Sequence, residues 1–172
     1  RAMHGLLDRE SGAGVYDKGV IVDFSMSMVV IAKIMRLLGV DSLHGGAPKG
    51  KMENYNEPML IQQALQEDIT PATDMTLGQN WYGMKGVWHT ASGGLHPGTI
   101  GESITRLGEN LIVQAGGGVL GHPWGIEAGV EAMVQARDIA MQKEDLNKWI
   151  IEHPDSALAK AAHYWGFDPK FV

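Results

Sequence analysis

The chain has 172 residues, about one domain by length and long enough to bury a real core. It is 44% hydrophobic and 20% charged, as a globular chain is, and its net charge of −6 with no Lys/Arg block argues against a basic nucleic-acid-binding surface. The absence of cysteine excludes disulfides, zinc ribbons, iron–sulfur sites and thiol nucleophiles, and no apolar run approaches the roughly 18 residues of a membrane span, so no membrane partner and a cytoplasmic location are expected.

The chain opens on Arg1 rather than Met, which points to a processed product or a piece of something longer. Residues 11–19 read as loop, punctuated by glycine and aspartate. Over residues 23–38 the apolar side chains Phe24, Met28, Ile31, Ala32, Met35 and Leu38 recur at helical spacing. Lys33 and Arg36 fall on the other face, and Gly39 follows as a C-terminal cap. A short strand is predicted over 40–44, then a loop from Gly45 to Gly50, then a helix over 56–65 carrying Met59, Leu60, Ile61 and Ala64. A polar segment reaches Asn80. A strand over 87–91 runs into Ser92-Gly93-Gly94, a helix follows over 99–107, and a strand over 111–115 ends in Gly116-Gly117-Gly118. An amphipathic helix over 126–141, with Val130, Met133, Val134 and Ile139 on one side, and a helix over 156–164 close the chain.

Alternating helices and strands predict an α/β fold with a parallel sheet. Two successive strands end in glycine clusters, and ligands of α/β folds sit at the carboxyl ends of strands. Glycine lets backbone N–H groups approach an anion with no Cβ in the way, so two such clusters point to a phosphorylated ligand. Three visible strands are too few for a closed (β/α)₈ barrel, which predicts half of one.

His44-Gly-Gly-Ala-Pro-Lys49-Gly50-Lys51 follows a strand. There His44 could donate to a phosphate or move a proton, and Lys51 could swing over a ligand as a mobile cation. Equally, the histidine could be a local hydrogen-bond partner and the lysines solvated. Ser92 before two glycines offers a hydroxyl and backbone donors, or the glycines only satisfy positive φ. No G-x-S-x-G elbow supports a serine hydrolase. His122, in Gly121-His-Pro-Trp-Gly125, reads as structural because it stands several residues past the strand end. The acids are scattered, without D-x-D or H-x-x-x-H spacing, so no metal ligand is assigned in this chain. The methionines at 26, 28 and 35 read as core filler.

Four motifs occur in one order: Arg1-Ala-Met-His4, His44-(x)₆-Lys51-Met-Glu53, Ala91-Ser-Gly-Gly-Leu-His-Pro97, and Gln114-Ala-Gly-Gly-Gly-Val-Leu-Gly-His-Pro-Trp-Gly125. Together they resemble the C-terminal half of the large subunit of ribulose-1,5-bisphosphate carboxylase/oxygenase (RuBisCO), in its archaeal, form III-like branch. The resemblance implies that residues 1–172 are the C-terminal half of a (β/α)₈ TIM barrel, about strands six to eight with helices five to eight, lacking the N-terminal domain and the first barrel half.

It further implies that Arg1 and His44 bind one substrate phosphate and that Ser92, followed by Gly93, contacts substrate at that end. Gly94, Gly116 and Gly117 would cradle the other phosphate, with Gln114 opening that segment. Lys51 would close over the substrate and stabilise the carboxylation transition state. The implied ligands are ribulose-1,5-bisphosphate and CO₂ or O₂. The implied cofactor is Mg²⁺ on a carbamylated lysine, held by residues outside this chain. The implied assembly is a homo-oligomer sharing its site between subunits, so these residues alone are expected to be inactive. Departures from the family pattern are Ala47 in place of a usual threonine, the added charge of Lys49, Pro48 in the loop, and a short insertion over 12–24. Two other readings stay open: a RuBisCO-like enolase or isomerase acting on a related phosphorylated substrate, and a non-catalytic half-barrel.

Overall fold

The computed structural model describes residues 27–49, 56–74 and 76–168. Arg1, His4, Lys51 and the 12–24 insertion lie outside the described residues. In chain order the elements are α1 (Met28–Leu37), β1 (Ser42–His44), α2 (Glu57–Gln66), β2 (Ile69–Thr70), β3 (Gln79–Asn80), β4 (Trp88–Ser92), α3 (Pro97–Leu107), β5 (Leu111–Gln114), α4 (Gly116–Leu120), α5 (Ile126–Gln142), α6 (Leu146–Glu152) and α7 (Ala157–Trp165).

β1, β4 and β5 form one parallel sheet in that order, with β1 and β5 at its edges among the described residues. His44 stands opposite Thr90, and Ser92 opposite Gln114. Each crossover between these strands is helical, as parallel neighbours require. β2 and β3 make a separate antiparallel pair inside the crossover from α2 to β4.

Alternation along the strands separates the faces. Leu43, Ala91, Leu111 and Val113 point into the two clusters packed by the helices. Trp88, Ile112 and Gln114 are exposed on the opposite face. One cluster joins α1, α2, β1 and Val87, and the other joins α3, α5, α7, β4 and β5. Helix starts follow local chemistry: the side chains of Ser27, His96, Asp145 and Ser156 each accept a backbone N–H from the first turn of α1, α3, α6 and α7.

Four sequence expectations change. Arg36 is not on an exposed face of α1: it is 2% exposed and its guanidinium donates to the carbonyls of Ala64, Glu67, Met84 and Lys85 at 2.7–3.3 Å, over the ring of Trp81. The last carbonyls of α2 lack partners inside their own helix, and this side chain supplies donors. Leu38, expected in the apolar stripe, is 68% exposed.

The buried face of α5 is Gly129, Ala132, Ala136 and Ile139, whereas Val130 and Val134 face outward. Small residues are needed there because the backbone comes close: a Cβ on Gly129 would collide with the backbone of Val119. Gly116-Gly117-Gly118, expected at the end of a strand, is the start of α4.

Candidate active site

His44, Ser92 and Gln114 are the last residues of β1, β4 and β5. Because the three strands are parallel and adjacent, their carboxyl ends lie on one rim. His44 Nδ1 and Ser92 Oγ share a hydrogen bond of 2.9 Å, so two side chains assigned to one phosphate end are in contact.

Gly93 and Gly94 follow with φ of +98° and +71°, left-handed values that glycine alone adopts readily. They turn the chain from β4 into His96, the N-terminal cap of α3, whose box is completed by Thr99. The positive-φ explanation of these two glycines is therefore correct, and it coexists with their place on the rim.

Gly116 and Gly117 behave differently. Neither has positive φ, and a Cβ on either would meet no atom within 4 Å. Packing and backbone conformation therefore leave the choice of glycine unexplained. Both open on a cavity of about 730 Å³ that is also lined by Ser92, Gly93, Gly94 and Gln114. They begin α4, where the first N–H groups have no acceptor within the helix. Gly118 is a packing residue, since its Cβ would strike Leu95 O and His96 Cα.

The far wall of this cavity includes Leu120, Tyr164 and Trp165, which sequence reasoning missed. Trp165 stacks on His96 with ring centres 5.7 Å apart. His96 Nδ1 accepts from Gly98 N–H, so Nε2–H donates to Asp168 O at 2.8 Å. His122 is structural, as its position suggested: buried, it accepts from Trp124 N–H on Nδ1 and donates from Nε2 to Ala157 O at 3.0 Å.

Within the loop after β1, Ala47 and Pro48 are buried. Lys49 is not solvated but lies 3.8 Å from Glu102 and 3.4 Å from Asp168. These contacts dock the first part of the loop on α3. A second cavity, about 820 Å³, lies between α3 and α5. No strand residue lines it, so the smaller cavity at the strand ends is the one placed for chemistry.

His89, on β4, is fully buried and was not singled out from the sequence. Burial is the main reason its imidazole is held down to a pKa of about 4; the Gly46 carbonyl opposes the shift and nearby His44 adds to it. Among the described residues no group of three or more His, Asp or Glu fits a metal ion, so no metal-holding role is assigned to them. No described helix is long and apolar enough to cross a membrane.

The family model for the ribulose bisphosphate carboxylase large chain, catalytic domain, matches residues 1–165. The ribulose bisphosphate carboxylase of Methanocaldococcus jannaschii is 38% identical over 168 residues, covering 96% of this chain and 36% of that protein. That of Xanthobacter autotrophicus, a large chain, is 40% identical over 152 residues, covering 80% of this chain and 28% of its own length. Among solved structures, the dimeric archaeal Rubisco of Hyperthermus butylicus superposes with a TM-score of 0.76 at 36% identity, covering 97% of this chain and 36% of that one. The octameric enzyme of Pyrococcus horikoshii gives 0.71 at 35%, covering 96% and 34%. The chain thus spans about a third of the length of the relatives it matches. With the match running almost end to end at such identities, the chain belongs to the family of the ribulose bisphosphate carboxylase large chain catalytic domain.

Proposed function

We propose that residues 1–172 are the C-terminal part of the barrel of a ribulose-bisphosphate carboxylase, with β1, β4 and β5 as strands six, seven and eight. The reaction is addition of CO₂ to the enediol of ribulose-1,5-bisphosphate, giving two 3-phosphoglycerates. The observation that carries this reading is the empty Cβ space at Gly116 and Gly117, on the same rim as the His44–Ser92 pair. A substrate with a phosphate at each end suits a rim with two anion-holding ends.

In this reading His44 and Ser92, together with Arg1, hold one phosphate. The backbone N–H groups of Gly94, Gly116 and Gly117 receive the other, and Gln114 and Gly93 complete the wall between them. Lys51, carried by the loop that leaves β1 at His44, stabilises negative charge that appears as CO₂ adds. Lys49, two residues before Lys51, is held beside Glu102 of α3. The family's magnesium ion and carbamylated lysine would supply electrostatic stabilisation of the enediolate from residues outside this chain. The whole protein would be a cytoplasmic homo-oligomer sharing its site between subunits; relatives include dimeric and octameric enzymes.

The test is carboxylation by the full-length protein that carries this chain, read as labelled CO₂ entering 3-phosphoglycerate. Ser92→Ala should raise KM for the bisphosphate by about tenfold, the loss of roughly one charge-assisted hydrogen bond. Isomerisation of a phosphorylated substrate without CO₂ incorporation would favour the RuBisCO-like alternative and overturn the carboxylase reading.

A further inference from the structure

The loop between β1 and Lys51 has to leave the sheet at one fixed point, because His44 is the last strand residue and the cation stands seven positions later. A single buried ring sets that point. His89, on the neighbouring strand β4, is 0% exposed. Its Nε2 lies 2.8 Å from Gly46 O, and since a carbonyl only accepts, Nε2 carries the proton and donates.

The same ring fills the space where a side chain at residue 45 would stand: a Cβ on Gly45 would collide with its Cε1, Nδ1 and Nε2. Gly45 N–H donates to Thr90 O at 3.2 Å, extending the β1–β4 pairing one residue past His44. Gly46 then turns with φ of +79°. His89 thus captures a carbonyl just beyond the sheet pairing. Its Nδ1 is buried without a hydrogen-bond partner, a cost that a purely apolar filler of this space would not incur.

We propose that His89 is a positioning residue for the candidate active site: by holding Gly45 and Gly46 it fixes His44 on the strand rim and sets where the Lys51 loop begins. The proposal rests on the roles given above to His44 and Lys51, and it adds a residue that touches neither substrate nor the reacting atoms. A ring that is neutral near pH 7 suits the task, because a positive charge on His89 would oppose a proton on nearby His44.

The experiment compares wild type, His89→Leu and His89→Gln in the full-length protein. Leucine fills the space without a donor, and glutamine returns an N–H near the position of Nε2. Under limited trypsin digestion, cleavage after Lys49 and Lys51 in His89→Leu should quicken by about tenfold relative to the other tryptic sites, as local opening would produce. His89→Gln should restore resistance to within about threefold of wild type. In turnover assays His89→Leu should raise KM for the bisphosphate and lower kcat, and His89→Gln should recover both.

If His89→Leu does not fold, His89→Asn, whose amide is too short to reach Gly46, takes its place. Unchanged cleavage after Lys49 and Lys51, equal acceleration at every site, or no recovery with glutamine overturns the proposal. A wild type that performs no carboxylation, but whose loop is released by leucine and restored by glutamine, sinks the carboxylase reading and leaves the positioning role standing.

Discussion

Replacing Gly117 with alanine separates binding from folding in a way few substitutions can. A Cβ there meets nothing within 4 Å, φ is not positive, and the residue stands in the first turn of α4. Alanine is favoured over glycine by about 0.8–1 kcal/mol in a helix interior, so stability should stay level or rise by up to about 1 kcal/mol. Affinity should move the other way. A methyl group in the phosphate's place displaces it from the backbone N–H groups, and each charge-assisted hydrogen bond lost is worth about 1.5–3 kcal/mol. Bisphosphate affinity should therefore fall by about ten- to a hundredfold.

Gly118→Ala is the internal control. Its Cβ would strike Leu95 O and His96 Cα, backbone atoms that cannot rotate aside. It should cost about 1–3 kcal/mol of stability by overpacking. The assay is calorimetric titration of a bisphosphate analogue into the full-length protein, with melting curves for both variants. Unchanged affinity in Gly117→Ala, or a large fall in its melting temperature, would refute the assignment of this strand end to a phosphate.

Three further outcomes are expected. Lys51→Ala should abolish carboxylation yet leave enolisation measurable by proton exchange, because its charge acts on negative charge that develops only as CO₂ adds; carboxylation surviving within about tenfold would remove that role. Arg36→Ala should cost about 2–4 kcal/mol in urea unfolding, since it strands the carbonyls of Ala64, Glu67, Met84 and Lys85, and Arg36→Lys should recover only part of it; a loss under about 0.5 kcal/mol would contradict the burial argument. His89 titrates near 4 when folded and near 6.5 when unfolded, so the unfolded chain binds the proton more readily in that window. Stability is therefore complete above pH 6.5 and falls toward pH 4, by about 3 kcal/mol from this one group. His89→Gln should lack that fall; parallel pH-melting profiles for the two proteins would refute the claim.

The elements legible in the sequence were those whose signals are local. Strand ends announced themselves through glycine, with Gly45 after His44, Gly93 after Ser92 and Gly116 two residues after Gln114, while α1 and α2 showed through periodic apolar residues. What stayed hidden depends on distant partners. Arg36 looks like a surface cation until its acceptors, 28 to 49 residues away in the chain, are brought to it. His89 is silent because Gly46 lies 43 residues earlier. The buried face of α5 was misjudged because Val130 and Val134 outweigh Ala132 and Ala136 in apolarity, while close backbone approach selects the smaller residues. α6 buries no residue fully, and β2 and β3 are two residues each, so neither leaves a periodic trace. In the site, the residues themselves pointed to a phosphate ligand; the specific role of Lys51 came only with the family motifs.

Site and core share the same strands through a two-residue alternation, and this constrains how the site can vary. Leu43 and Ala91 face the helices, and the next residues, His44 and Ser92, end the strands with their side chains joined at 2.9 Å. A one-residue slip between β1 and β4 would move Leu43 off the core at the same moment as it broke the His44–Ser92 pair. Burial therefore holds the site in register, and the loops can diverge without disturbing it. Three of the departures expected from the sequence, Ala47, Pro48 and Lys49, lie there, beyond the strand. The structure turns those departures into contacts, with Ala47 and Pro48 buried and Lys49 beside Glu102 and Asp168. Their effect should fall on the segment leading to Lys51, with the His44–Ser92 pair left in place.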